Sequence, residues 1–193
     1  MKRTQPTRFE QTVVFLRTYL RNPKMLGAIV PSSRFVVDEV LRKVQWSEAR
    51  VVIEYGPGAG TFTAEILHRM RPDGILVVIE LNSAFVRFLR KNFVDPRLRV
   101  VEGSAGDVDR ALAQLGHSSA DYVISGIPFS TMPACERDDI INKTQKVLRP
   151  GGAFLVYQVS GAVGPHLQRA FSTVVRGFEP VNLIPLRLFY CVP

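Results

Sequence analysis

Residues 51–62, VVIEYGPGAGTF, place a carboxylate and three glycines at the end of an apolar run. Glu54 lies within the run, and Gly56, Gly58 and Gly60 follow at alternate positions. Glycine lets a loop backbone approach a ligand closely, and a carboxylate can bind ammonium or hydroxyl groups. The pattern therefore predicts a loop that holds a polar small molecule. A tight strand-to-helix turn without a ligand is the alternative.

Two familiar nucleotide-binding loops do not fit this spacing. A phosphate-binding loop of the G-x-x-x-x-G-K-[ST] type needs a lysine, and residues 56–61, GPGAGT, contain none. A dinucleotide loop, G-x-G-x-x-G, places its third glycine one position later. Pro57 also removes a backbone N–H from a loop that would present such groups to a pyrophosphate. The spacing therefore favours a ligand without phosphate groups.

The remaining pattern, E-x-G-x-G-x-G, resembles the first motif of class I S-adenosylmethionine-dependent methyltransferases. This cofactor carries no phosphate, but its amino-acid tail and ribose must pass close to the backbone, which glycine permits. Glu80 ends the next apolar run, and its carboxylate can accept hydrogen bonds from both ribose hydroxyls. Residues 147–157, VLRPGGAFLVY, resemble a second family signature, in which Pro150 stops a helix and two glycines reverse the chain.

The resemblance implies a cofactor site at the ends of the first four strands. Residues 101–107, VEGSAGD, resemble the segment that holds the adenine, so we expect the Ala105 N–H at the adenine ring. Ser104 stands where the family often has Asp, which weakens the expected contact with the exocyclic amine. We predict S-adenosylmethionine as cofactor, S-adenosylhomocysteine as its product, and no metal. The predicted cofactor-binding residues are Glu54, Gly56, Gly58, Gly60, Thr61, Glu80, Leu81, Ser104, Ala105 and Ser125.

Residues 125–133, SGIPFSTMP, follow the fourth apolar run and in this family face the transferred methyl group. N-methyltransferases that act on planar amines often carry [NDS]-P-P-[YF] or N-[IL]-P-[YF] there, with a side-chain acceptor for the amine and a ring that stacks on the base. Gly126 takes the Asn position here, and the missing acceptor argues against a nucleobase substrate. The residues predicted at the transferred methyl are Tyr19, Ser125, Gly126, Pro128, Phe129 and Tyr157.

These acceptor residues have different expected roles. Ser125 and nearby backbone carbonyls are expected to orient the amine. Phe129 is expected to line its pocket or to touch the methylated product by a cation–π contact. Tyr19, Tyr157 and Gln158 are candidates for a base or hydrogen-bond partner, with Gln158 as an acceptor only, since a primary ammonium must lose a proton before it can attack. Ordinary packing is an equally good interpretation of both tyrosines.

A closer resemblance covers nearly the whole chain. Four segments resemble the bacterial phospholipid N-methyltransferases, a family similar in sequence to the ribosomal RNA adenine dimethylases that methylates phosphatidylethanolamine. The resemblance implies N-methylation of phosphatidylethanolamine or a related amino lipid towards phosphatidylcholine. We expect no additional C-terminal helical domain of the kind that the RNA enzymes carry. The segments are FLRTYLRNPKMLGAIVPSS, EYGPGAGTFTAEIL, VISGIPFSTMP and LIPLRLFY.

Two other functions stay open from the sequence. The same core can serve an RNA adenine N6-methyltransferase or a protein-directed methyltransferase. It can also bind the cofactor as a scaffold or membrane-surface module without turnover. The number of methyl groups transferred to an acceptor is not set by any of these motifs.

The first 24 residues are strongly basic. Six basic residues and one acidic residue give them a charge of +5, out of +8 for the whole chain. Apolar residues at helical spacing within 8–21 predict an amphipathic helix that can lie in a membrane interface. Its charge would attach it to anionic lipids. A lid helix packed on the catalytic core, with solvated charges, is the alternative.

We therefore divide the chain into an N-terminal amphipathic lid or membrane-binding segment, 1–33, and a methyltransferase domain, 34–193. The resemblance implies a bacterial enzyme of phospholipid metabolism. We expect a cytoplasmic monomer, bound peripherally to the inner face of the cytoplasmic membrane through residues 1–24. Its expected partners are an amino-phospholipid substrate and an anionic membrane surface, and no nucleic acid partner is expected.

The elements that must position these residues follow from composition and periodicity. The 193 residues are 46% hydrophobic and 22% charged, which is typical of one globular domain, and two cysteines do not make a disulfide framework. Continuous apolar strands that alternate with helices predict an α/β, doubly wound, Rossmann-like methyltransferase sheet that is mostly parallel. The predicted strands are 50–55, 75–81, 98–103, 120–126 and 152–160, and the predicted helices are 34–46, 60–71, 83–93, 107–116, 134–148 and 165–173.

The last predicted pair of strands lies within 174–192. Its short connection leaves no room for a helical crossover, so this C-terminal pair must be antiparallel. N-terminal amphipathic helices complete the predicted architecture.

Overall fold

The computed structural model describes residues 33–180 and 185–193. These residues form one seven-stranded sheet with helices on both faces. The strands are β1 (Val51–Tyr55), β2 (Ile75–Glu80), β3 (Leu98–Glu102), β4 (Ala120–Ser125), β5 (Leu148–Gln158), β6 (Thr173–Glu179) and β7 (Leu186–Val192). The α-helices are α1 (Arg34–Leu41), α2 (Thr61–Arg69), α3 (Ser83–Asn92), α4 (Val108–Gln114), α5 (Ala134–Val147) and α6 (Gly164–Ala170).

The strand order is β3-β2-β1-β4-β5-β7-β6. Strands β1 to β5 pair in parallel, and β7 runs antiparallel to both β5 and β6. This topology confirms the predicted α/β fold with its antiparallel C-terminal strand. The direction of winding reverses between β1 and β4, and open α/β sheets bind their ligands in the crevice at the carboxyl ends of the strands at such a point.

The central strands are buried on both faces, as their continuous apolar sequences require. Every residue of β4 is buried, and so are all but the first residues of β1 and β2. Helices α1, α2 and α3 cover one face, and helices α4, α5 and α6 cover the other. The helix residues in these two layers include Val36, Leu41, Phe62, Ile66 and Leu89 on the first face, and Val108, Leu112, Ile140, Ile141 and Leu167 on the second.

A buried carboxylate fixes the amino ends of three strands. Asp121 Oδ2 accepts hydrogen bonds from the backbone N–H groups of Arg50 and Val51, at 2.8 and 2.7 Å. Its other oxygen accepts from the Arg149 guanidinium at the start of β5. Asp121 therefore sets β1, β4 and β5 level with one another, so that their carboxyl ends meet at one edge.

The first described helix is shorter than predicted. The Ser33 hydroxyl caps α1 by accepting the Val36 N–H at 3.3 Å. The helix ends at Leu41 instead of continuing to Trp46, because the Trp46 indole N–H donates to the Leu41 carbonyl at 3.1 Å and folds the next turn back.

The junction before β5 also differs from the prediction. Helix α5 ends at Val147, three residues before Pro150, because Leu148 already has extended backbone and pairs with Ala120. The next paired residues are Tyr122 and Ala153, so the proline and the two glycines form an irregularity within β5. The reversal predicted here is therefore a bulge at the start of the strand, with Gly151 at φ +80°.

Several predictions lie outside the described residues. These include the helix predicted within 8–21, Tyr19, the basic segment 1–24, and part of the connection between β6 and β7. The division of the chain at residue 33 stays a prediction. Among the described helices, none is both long enough and apolar enough to cross a membrane.

Candidate active site

The loops after β1, β2 and β4 meet at the carboxyl edge of the sheet. The Gly56 N–H donates to the Ile79 carbonyl of β2 at 3.0 Å. A Cβ atom added at Gly56 would lie 2.7 Å from Ile127 Cγ2, in the loop after β4. The glycine at this position therefore lets the β1 and β4 loops touch at the point where the sheet reverses its winding.

The three glycines of this loop serve different purposes. Gly56, Gly58 and Gly60 all have positive φ angles, of +64°, +55° and +82°, which L-residues with side chains rarely adopt. At Gly60 an added Cβ would lie 2.6 Å from the Phe93 ring, so this position is needed for packing within the protein. At Gly58 an added Cβ would meet no atom within 4 Å. Gly58 is therefore the glycine that leaves open space for a ligand.

The Glu80 carboxylate holds the glycine loop against the end of β2. It is 6% exposed, and its two oxygens accept the backbone N–H groups of Gly58 at 3.1 Å and Asn82 at 2.8 Å. Burial raises the pKa of Glu80, and these backbone N–H groups oppose that shift because they stabilise the charged form. Each carboxylate oxygen has further acceptor capacity, which suits a pair of hydroxyl groups.

Glu54 is a second buried carboxyl group in β1. It is 1% exposed, and its Oε2 accepts a hydrogen bond from the Thr63 hydroxyl at 2.6 Å. Its Oε1 is buried and has no hydrogen-bond partner among the described residues. Burial raises the pKa of Glu54 to about 8, the Thr63 hydrogen bond works against this, and the charge of Glu80 adds to it. The unpaired oxygen is suited to an ammonium group or a water that bridges to one.

This set of groups fits S-adenosylmethionine, which supplies an electrophilic methyl group when it is bound. Glu54 would bind the ammonium group of the amino-acid tail, directly or through a water. Gly58 would let the tail and the ribose approach the loop backbone closely, and Glu80 would accept hydrogen bonds from the ribose hydroxyls. No cluster of His, Cys, Asp or Glu suited to a metal ion occurs in the described part of the chain.

The segment predicted to hold the adenine lies next to Glu80. The Gly103 N–H donates to the Glu80 carbonyl at 3.0 Å. The Ser104 hydroxyl accepts the Gly106 N–H at 3.1 Å and caps a short 3-10 helix, 105–107, in which Ala105 is buried. Leu81 is 76% exposed, so an apolar side chain stands open to solvent directly after Glu80.

The other predicted cofactor residue, Thr61, begins α2 directly after the glycine loop. Direct hydrogen bonds thus join the glycine loop to Glu80, and Glu54 to Thr63 in the helix that follows the loop. The adenine-binding roles of Leu81, Ser104 and Ala105 stay predictions, because they concern contacts with the cofactor itself.

Two acceptor residues predicted from the sequence lie at the end of β4. Ser125 is fully buried, and its hydroxyl oxygen has no hydrogen-bond partner among the described residues. The backbone N–H of Gly126 donates to the Tyr55 carbonyl of β1, at 3.4 Å. On the neighbouring strand, Gln158 Oε1 is a further buried oxygen without a hydrogen-bond partner in the same described region. Two buried oxygen atoms without a hydrogen-bond partner among the described residues, Ser125 Oγ and Gln158 Oε1, therefore lie at the carboxyl ends of β4 and β5.

Tyr157 of β5 lies directly over Gly126. An ideal Cβ at Gly126 would be 2.4 Å from the Tyr157 hydroxyl oxygen and 2.5 Å from its Cζ. The Tyr157 ring stacks on Phe62 of α2, with centroids 4.3 Å apart and an interplanar angle of 13°. The structure therefore brings two of the predicted acceptor residues into one unit.

The prediction that Phe129 lines the acceptor pocket is wrong. Its ring is 0% exposed and packs edge-to-face on Phe154, with centroids 6.2 Å apart. A short 3-10 helix over 129–131 turns the ring into the core, because the chain must bend between Pro128 and α5. Pro128 itself is half-buried at the start of this turn.

Sequence reasoning missed Thr63 and Phe62. Thr63 binds Glu54 from the first turn of α2, and Phe62 supports Tyr157 from the same turn. The available signal for Thr63 was a polar residue on the otherwise apolar face formed with Ile66. Phe62 gave no such signal, because an apolar residue at that position is expected in any core-facing helix.

Comparison with known proteins agrees with this geometry. The family model described as ribosomal RNA adenine dimethylase matches residues 18–117. The ornithine lipid N-methyltransferase of Singulisphaera acidiphila is 32% identical over 180 residues, which cover 92% of this chain and 94% of that protein.

Solved structures show the same fold. The precorrin-6y C5,15-methyltransferase of Geobacter metallireducens matches with a TM-score of 0.68 at 18% identity, covering 82% of this chain and 88% of that one. Human methyltransferase-like protein 13, solved in complex with SAH, matches with a TM-score of 0.61 at 14% identity, covering 82% and 79%.

We expect Glu80→Gln to weaken S-adenosylhomocysteine binding by at least tenfold, because an amide replaces a charged acceptor that already holds the glycine loop. Isothermal titration calorimetry measures the change. Glu102→Gln is the matched control, since Glu102 pairs in register with Glu80 on the adjacent strand but is exposed. Equal affinities of Glu80→Gln and the wild type would contradict the assignment.

The raised pKa of Glu54 predicts a pH-dependent loss of stability. The folded protein binds the Glu54 proton more tightly than the unfolded chain does, so stability falls as the pH rises from about 4.5 to about 8. The slope from this one group is about 1.4 kcal/mol per pH unit. Urea unfolding between pH 5 and 8.5 should therefore show Glu54→Gln gaining stability over the wild type as the pH rises. A difference that stays constant with pH would rule out the burial of an ionisable Glu54.

Proposed function

The chain belongs to the class I S-adenosylmethionine-dependent methyltransferases, and from this we propose that it methylates the amine of an amino lipid. The observation that carries the proposal is the relative from Singulisphaera acidiphila, whose name gives it an amino-lipid acceptor and which aligns over 94% of its own length. The alignment covers both the cofactor loops and the acceptor loop of this chain, because it spans 92% of the residues.

The match to the ribosomal RNA adenine dimethylase model supports an RNA acceptor much less than the Singulisphaera acidiphila relative supports an amino lipid. It ends at residue 117, before β4 and before the acceptor loop that follows it. The matched part therefore holds the predicted cofactor residues other than Ser125, and methyltransferases with different acceptors share such residues.

The acceptor loop itself argues against a nucleobase. Gly126 has no side chain with which to accept a hydrogen bond from a ring amine. Phe129, the residue in the position of the stacking aromatic, has its ring in the core against Phe154. Neither of the two contacts by which planar amines are recognised is therefore available from this loop.

The chemistry required of the protein is alignment and exclusion of water. A primary ammonium has a pKa near that of Lys, about 10.4, so the amine must lose its proton before it attacks. The residues at the end of β4 carry no charge, and burial beside them disfavours the ammonium form. We assign the orientation of the amine to the Ser125 hydroxyl and to the backbone carbonyls between Gly126 and Pro128.

The finer proposal concerns the lipid and its location. Phosphatidylethanolamine and ornithine lipid both present a primary amine on a membrane surface, and the first is the acceptor predicted from the sequence. The basic segment 1–24, with its charge of +5, is suited to hold the enzyme on an anionic membrane, on the cytoplasmic side.

A methyl-transfer assay tests the proposal directly. The protein is incubated with labelled S-adenosylmethionine and vesicles of phosphatidylethanolamine, vesicles of ornithine lipid, or ribosomal RNA. We expect label in lipid, and mass spectrometry of the extracted lipid counts the methyl groups added. Label only in the RNA would overturn the proposal.

Membrane attachment has its own test in the full chain. Reversing two charges, with Arg17→Glu and Arg21→Glu, should reduce binding to anionic vesicles by more than tenfold, since each basic residue near the surface contributes about 1 kcal/mol. Arg87→Glu with Arg110→Glu changes the net charge equally at two exposed helix positions and is the control. Sedimentation with vesicles measures binding. Equal losses in both double variants would refute the assignment to residues 1–24.

A further inference from the structure

We propose that the Tyr157 hydroxyl replaces the missing side chain of residue 126 as the hydrogen-bond acceptor for the lipid amine. The inference rests on the proposed function and deepens it by naming the group that orients the amine. It makes Gly126 and Tyr157 one recognition unit, which selects an aliphatic amine on a lipid.

The first observation is steric. Any side chain at residue 126 would begin 2.4 Å from the Tyr157 hydroxyl oxygen and 2.8 Å from its Cε2, distances that real Cβ atoms do not show. In this position the phenol therefore requires a glycine at residue 126. The oxygen of Tyr157 lies where the side chain of an Asn at this position would start.

The second observation concerns position in the sheet. Ser125, the last residue of β4, pairs with Val156 of β5, so Gly126 and Tyr157 are the next residues along both strands. Gly126 lies one step beyond the end of β4, in the loop in which Ile127 contacts Gly56, and Tyr157 lies beside it in β5, one position before that strand ends. The phenol is thus placed over the acceptor loop, and its ring packs on α2, the helix that follows the cofactor loop.

The third observation is rigidity. The Tyr157 ring stacks nearly parallel on Phe62, which is 2% exposed and follows the glycine loop at the start of α2. Stacking holds the Tyr157 ring in one orientation. Because Phe62 is in the first turn of α2, the position of the hydroxyl depends on the helix that directly follows the glycine loop. A fixed acceptor of this kind orients a substrate without a reorganisation cost.

The number of N–H groups on the amine falls with each methyl transfer, and this makes the role of the hydroxyl testable. A phenolic oxygen can accept an N–H hydrogen bond, and by accepting one N–H it directs the nitrogen lone pair elsewhere. A primary amine has two N–H groups, a monomethylated amine has one, and a neutral dimethylated amine has none. The hydroxyl should therefore matter for the first transfer and contribute nothing when the amine is already dimethylated.

The test compares Tyr157→Phe with the wild type on an unmethylated lipid and on its mono- and dimethylated forms. The lipid is short-chain phosphatidylethanolamine or short-chain ornithine lipid, whichever the wild type methylates. We expect kcat/KM of Tyr157→Phe to fall about tenfold on the unmethylated lipid and less than twofold on the dimethylated one. Tyr190→Phe, at a half-buried position on β7, is the control and should change neither value.

A binding measurement supports the same point without turnover. With S-adenosylhomocysteine bound, Tyr157→Phe should bind the unmethylated lipid several-fold more weakly than the wild type and the trimethylated lipid equally well. Its affinity for S-adenosylhomocysteine should be unchanged, because the stack on Phe62 is kept. Equal losses at every methylation state, or a loss of S-adenosylhomocysteine affinity, would show a structural role and overturn the inference.

The two proposals fail in different ways. A wild type that methylates no lipid contradicts the proposed function. A wild type that methylates lipid, together with a Tyr157→Phe variant of unchanged kcat/KM, contradicts the role of Tyr157 alone.

Discussion

The hydrogen bond from the Gly58 N–H to the Glu80 carboxylate is the contact on which the rest of the site depends. It fixes a loop of three left-handed glycines against the end of β2, and Gly56 in the same loop packs on Ile127 of the acceptor loop. The ends of β1, β2 and β4 are thus held together by the buried Glu80 carboxylate and by the close packing of Gly56 on the Ile127 side chain. A buried charge is stable only when such donors satisfy it.

The two halves of the site differ in their electrostatics, and the difference suits methyl transfer to an amine. Two buried carboxyl groups, Glu54 and Glu80, lie on the cofactor side. On the acceptor side, the residues at the end of β4 and the Tyr157 phenol are uncharged. A cationic cofactor favours the charged form of these two carboxyl groups, whereas burial beside neutral groups favours the deprotonated amine that can attack.

The sequence was enough to predict the order of strands and helices, because continuous apolar strands and glycine loops are local signals. It also located Glu54, the glycines and Glu80, which the fold brings together. It did not show that Gly58 is the one of the three loop glycines that faces open space, that Thr63 binds Glu54, or that Phe129 points into the core. These facts depend on contacts between distant segments. The pairing of Gly126 with Tyr157 is of the same kind, because the two residues are 31 positions apart and meet only when β4 lies beside β5.

The central claim is that the edge formed by Glu54, Gly58 and Glu80 seats a sulfonium nucleoside instead of a dinucleotide. Calorimetric titration of the unmodified protein with S-adenosylhomocysteine and, separately, with NAD tests it most directly. The account predicts saturable binding of S-adenosylhomocysteine and none of NAD. Heat from NAD alone, with S-adenosylhomocysteine giving no signal, would contradict it.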